Sequence, residues 1–178
     1  IDDLISRGNG SVYLPANQQF GVRYNSPSPA NFTYSVKAYR LQEGLEDWAN
    51  KVVFSSKTYF NDNIRLDLTY SYIDSDDWLI GHSSGELRRY TRKFHQLSSK
   101  LVAKLSSVSD LTLISQWYAL KATGIQNYNI ESGSHIKSMS SKPSDFSSSH
   151  FSLQARYRYR FAPLSEFYLV YARNGFRS

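Results

Sequence analysis

Cysteine is absent from the 178 residues, which excludes disulfide scaffolds and thiolate metal sites while leaving the redox compartment open. No run of about eighteen apolar residues occurs, so no helix of this chain can cross a bilayer. Charge of one sign is also scarce: 21 Lys and Arg stand against 15 Asp and Glu, a formal net charge of +6. These charges alternate along the chain instead of clustering on one helix, which argues against nucleic acid as a partner. Glycine (9) and proline (5) are modest in number. The chain opens on Ile1 with no basic-plus-apolar leader before the first apolar segment, which reads as a mature piece or fragment.

Aromatic residues are plentiful: 14 Tyr, 10 Phe and 3 Trp. Their spacing is informative. In Phe151–Phe161, Phe151, Leu153, Ala155, Tyr157, Tyr159 and Phe161 share one parity, while Ser152, Gln154, Arg156, Arg158 and Arg160 share the other. Period-two alternation places the apolar side chains on one face of a strand. Ala162-Pro163-Leu164-Ser165 breaks the run, and Phe167, Leu169 and Tyr171 resume it, predicting an antiparallel hairpin. Similar alternation marks Phe32–Ala38, Trp48–Phe60, Ile64–Tyr72 and Leu97–Leu105, the last in a strand whose earliest start is Arg88. Gln18–Tyr24 is a plausible first strand, and in Leu111–Ala122 apolar residues fall on both parities. The pattern predicts about eight antiparallel strands in one region spanning 1–178.

Short turns are expected at 26–31, 61–63, 107–110 and 162–165, with mostly longer loops at 43–47, 75–87 and 124–147. In an up-and-down barrel that alternation puts tight turns at one rim and long loops at the other, as in outer-membrane barrels. Several runs reach about ten residues, the length that crosses a bilayer at a tilt, and apolar faces end in Trp48, Phe60, Tyr72, Phe161 and Phe167. Soluble sandwich strands are shorter, about five or six residues. The expected fold is therefore an all-β, antiparallel up-and-down transmembrane β-barrel, here an arc of a larger one. A soluble β-sandwich or lipocalin-like barrel is the alternative.

Asp2–Gly8, Trp78-Leu79-Ile80, Leu111–Leu120, Tyr157–Phe161 and Phe167–Arg173 together resemble the C-terminal barrel of a bacterial outer-membrane family of unknown function. Its members typically carry an N-terminal domain like family 9 carbohydrate-binding modules. The resemblance implies a Gram-negative outer membrane, with lipid and lipopolysaccharide as surroundings and other outer-membrane proteins as partners. It implies no catalytic residues. The carbohydrate-binding-like domain is absent here, and members are expected to continue past Ser178 into a last strand ending in an aromatic.

Candidate chemistry is sparse. Gly81-His82-Ser83-Ser84-Gly85 matches the nucleophile-elbow pattern, which works only between a strand and a helix, whereas strands flank it here. An outer-membrane hydrolase is thus the weakest reading. Asp74, Asp76, Asp77 and Trp78 suit a calcium or sugar site in an outer loop, but the Gly and later Glu of an EF-hand are missing. His82, His95, His135 and His150 lack metal-ligand spacing, and no cofactor is expected. The stronger candidate is a polar-face ladder of Arg65, Lys100, Lys104, Arg156, Arg158 and Arg160, with Asp67 beside it. Facing a lumen, such a ladder favours anionic solutes. Facing bulk water, it is a solvated or cross-strand-paired surface. The expected function is non-enzymatic: a channel, or an anchor for a carbohydrate-binding domain or partner proteins.

Overall fold

The computed structural model describes residues 12–27, 31–45, 47–82, 85–131 and 134–177. The turn-like Asp2–Gly10 segment lies outside them, as do Ser83 and Ser84 of the elbow pattern. Nine strands follow in order: β1 (Gln19–Asn25), β2 (Phe32–Glu43), β3 (Asp47–Asn61), β4 (Ile64–Gly81), β5 (Glu86–Ser106), β6 (Ser109–Ile130), β7 (Ile136–Ser138), β8 (Phe146–Ala162) and β9 (Ser165–Arg177). All pairings are antiparallel, and the sheet runs β1-β2-β3-β4-β5-β6-β8-β9 with β7 attached to β6. No helix occurs among the described residues. The all-β up-and-down order is as expected, with one more strand. The sheet, however, is open: among the described residues β1 pairs only with β2, and β9 only with β8.

Register explains why alternation was so visible. Val36, Phe54, Tyr70, Leu97, Trp117 and Phe151 fall in one row across six strands. Leu66, Leu101, Leu113, Ala155 and Tyr171 fall in another. Because side chains alternate, these rows share one face, and the row between them mixes Tyr34, Leu68 and Leu153 with Ser56, Ser99, Ser115 and Arg173, so the belt is mostly apolar. No described residue covers it: Phe20, Val22 and Leu169 are 61%, 73% and 59% exposed. On the opposite face of β1, the Tyr39 ring lies across Gly21, where a Cβ would come within 2.5 Å of it. Only a residue without a side chain admits that cross-strand cover.

The buried cluster is small and eccentric. Val12, Leu79 and Leu87 form it, with Leu14, Leu45, Tyr128, Ile130 and Ile136 packed around them. It sits where the far ends of β4, β5, β6 and β7 meet the Val12–Leu14 segment, tied by Tyr13 N donating to Ser134 O at 3.0 Å.

The long loops require correction. The 75–87 loop is mostly strand: β4 continues to Gly81 and β5 begins at Glu86. The 124–147 loop is likewise consumed by the end of β6, by β7 and by the start of β8. Residues 139–145 return along β6, with Gly124 N donating to Asp145 Oδ1 at 2.9 Å. At Gly124 any Cβ would collide with the Pro143 carbonyl oxygen, 1.9 Å away. The rim asymmetry is thus one of strand length more than loop length. Backbone pairing persists where apolar residues fall on both faces, as at Trp78, Leu79 and Ile80, or stand alone, as at Leu87, whereas period two requires a single apolar face.

Candidate functional site

The polar face carries a basic groove at the end of the sheet nearest the β5–β6 and β8–β9 turns. Three register rows build it: Asp67, Lys100, Ile114, Gln154; then Arg65, Val102, Thr112, Arg156; then Lys104, Asp110, Arg158, Tyr168. All six predicted basic residues line this one cavity of about 570 Å³, against a single lining carboxylate, Asp110. Parity placed them on one face, and register brings them to one place.

The cations are not equivalent. Arg158 Nε donates to Asp110 Oδ2 at 2.6 Å, and Arg158 Nη1 lies 3.6 Å from Glu166 Oε1. Arg160 donates to the same Glu166 at 3.2 Å, and the Tyr168 hydroxyl donates to its other oxygen. Arg65 Nε lies 3.3 Å from Asp67 but is not aligned for a hydrogen bond. Lys100, Lys104 and Arg156 form no ion pair among the described residues. The groove therefore holds two neutralised cations, Arg158 and Arg160, beside three uncompensated ones, Lys100, Lys104 and Arg156. Such a surface attracts anions by field, and its reach shortens with salt.

Toward the opposite end, the same face carries a feature the sequence only hinted at. Phe94 and Tyr118 lie 6.0 Å apart, and Tyr118 stacks on His150 at 5.3 Å. This is where apolar residues appeared on both parities of Leu111–Ala122. The mixed pattern was the signal for a partly apolar inner wall.

The other predicted site dissolves into strand structure. Asp74, Asp76, Asp77 and Trp78 lie within β4, not in a loop, around a bulge between Ser75 and Trp78. Asp74 accepts from the Tyr72 hydroxyl at 3.2 Å, and Asp76 is exposed. Trp78 packs near Tyr90 and Phe146, with the Arg92 guanidinium 4.9 Å above its ring. Asp77 is fully buried and accepts from Leu45 N at 2.6 Å, Asp47 N at 3.4 Å and Arg89 Nε at 2.7 Å. Among the described residues no cluster of metal-ligating side chains occurs. Gly81 ends β4 and Gly85 precedes β5, so the elbow pattern lacks the helix it needs.

Asp77 is instead a brace for the β2–β3 turn. Gly44, at φ +63°, backs onto it so closely that a Cβ would lie 2.3 Å from the Asp77 carbonyl oxygen. Asp77→Ala strands two turn amides and removes the buried partner of Arg89. A loss of about 3 kcal/mol is expected, read as a lower denaturant midpoint. Asp77→Asn, which keeps an acceptor for the amides, should lose less. Equal midpoints for wild type and Asp77→Ala would refute the brace.

Compared with family models, curated proteins and solved structures, the chain matches none.

Proposed function

We propose that this sheet is part of the wall of a bacterial outer-membrane β-barrel, non-enzymatic, whose apolar belt meets lipid and whose basic groove faces water and favours anionic solutes. One observation carries the reading: a mostly apolar face, uncovered among the described residues, runs across the sheet, while the cluster of buried hydrophobic side chains there is confined to Val12, Leu79 and Leu87. A soluble domain buries such a face against a second layer. A sandwich would supply that layer, and none occurs among the described residues. The belt has the height of a bilayer: on β5 it runs from His95 to Leu105, close to the roughly nine to eleven residues that cross at a tilt. Its far boundary is polar, since Arg40, Asn50, Asp74, Lys93, Lys121 and Ser147 share one row of the same face. On this reading the Ala162–Ser165 corner is a periplasmic turn and the long β4–β6 ribbons project outward.

Those ribbons favour a second role. β5 and β6 run 21 and 22 residues, well beyond the belt, and Arg89 of β5 is held by the buried Asp77 of β4. They suit an anchor that presents a binding domain, such as the carbohydrate-binding-like one of the resembling family, or docks partner proteins.

The deciding experiment is refolding with and without amphiphile. Folded protein, seen as a heat-modifiable gel shift, is expected only with detergent or lipid. A monodisperse folded monomer in plain buffer would sink the membrane reading and restore the soluble β-sandwich module.

A further inference from the structure

The apolar face also carries a pocket distinct from the basic groove, of about 370 Å³, lined by Lys93, Lys121, Arg177, His95, Ser147 and Ser149 among others. We propose that it binds the phosphate of a phosphorylated membrane lipid at the edge of the belt. The proposal rests on the membrane reading above.

Two adjacent register rows build the pocket. Lys93, Lys121 and Ser147 form one, and His95, Ala119, Ser149 and Arg177 form the next. Three cations from three strands thus line the pocket together with three serines, and no carboxylate does. The in-register carboxylate is Asp74, opposite Lys93, where it accepts from Tyr72. Among the described residues Lys93, Lys121 and Arg177 make no ion pair. His95 is engaged below them, its Nδ1 2.8 Å from the Tyr70 hydroxyl. A phosphate monoester brings about −1.5 to −2 charges at neutral pH and three acceptor oxygens, which complements this donor set.

The surroundings favour a lipid over a free anion. The next row of the same face holds Leu97, Trp117 and Phe151, and Trp117 Nε1 donates to Ser149 Oγ at 3.2 Å. A ligand with its phosphate among the cations can lay acyl chains directly down that surface. A free phosphate gains nothing from it. Simple snorkelling of lysines to interfacial water is the competing account, and it predicts no headgroup preference.

The test compares wild type with Lys93→Ser/Lys121→Ser. Both are refolded in phosphatidylcholine–detergent micelles holding a bisphosphorylated glycolipid or its dephosphorylated form, and native mass spectrometry reads the retained lipid. Wild type should hold the phosphorylated form at least about tenfold more tightly, the effect of losing charge-assisted hydrogen bonds. The double variant should lose that preference while keeping its heat-modifiable shift. Equal retention of both lipids by a properly inserted wild type overturns the site alone. Displacement of the lipid by millimolar inorganic phosphate overturns the choice of lipid. A wild type that never inserts overturns the membrane reading beneath it.

Discussion

Exchanging Lys100 and Leu101 leaves the composition untouched and is expected to abolish insertion into vesicles. The two residues are neighbours on β5, yet they face different worlds. Lys100 pairs across to Asp67 and Ile114 on the polar side, while Leu101 pairs with Leu66 and Leu113 inside the belt. The exchange places an ammonium near the middle of the belt and a leucine in the groove. Arg or Lys at a bilayer midplane costs about 2–4 kcal/mol on the lipid face of a barrel. That is a large part of a marginal folding free energy. The measurement is the heat-modifiable fraction in phosphatidylcholine vesicles. An exchange variant that inserts as fully as wild type would mean that the apolar face does not meet hydrocarbon.

The second large effect concerns ions. Replacing Lys100, Lys104 and Arg156 with Ser should bring a channel's anion-to-cation permeability ratio severalfold toward unity in planar bilayers. Among the described residues these three lack carboxylate partners, so their charge projects into the groove. Replacing Arg158 and Arg160 should change selectivity less and stability more, because Asp110 and Glu166 would be left without their guanidinium partners. The contrast should be greatest at low salt, since the screening length is about 10 Å at 0.1 M and about 3 Å at 1 M. Equal selectivity losses from the two sets would refute this division of the groove. Absence of any conductance would remove the channel and leave the anchor.

The architecture was legible wherever one face of a strand is apolar. Phe151–Phe161, Ile64–Tyr72 and Leu97–Leu105 show period two because each alternates between the belt and the polar side. The same logic hid the far ends of β4, β5 and β6. Asp74 to Asp77 are polar on both parities, and at Glu86 and Leu87 one apolar residue sets no period, so nothing in their spacing distinguishes strand from loop, although their backbones pair outside the bulges. The basic ladder was readable as parity. Its partition into paired and unpaired cations was not, since Asp110 meets Arg158 only through the β6–β8 register. Asp77 was the furthest from local pattern. Its partners Leu45 and Asp47 lie about thirty residues upstream, and an aspartate among aspartates resembles a solvated loop until register places it behind Gly44.

The unpaired borders of β1 and β9 bear on how the protein is made. β9 is 13 residues long and hydrogen-bonded along one side only, so alternate amides and carbonyls face outward. In water these groups are hydrated at little cost. In hydrocarbon each unsatisfied one costs several kcal/mol. Summed along one strand, that penalty exceeds the whole stability of an ordinary domain. With lipid as the medium, the bilayer therefore acts as a thermodynamic checkpoint. It refuses a sheet whose seams are still open, so seam matching must precede or accompany immersion, and quality control is written into the solvent.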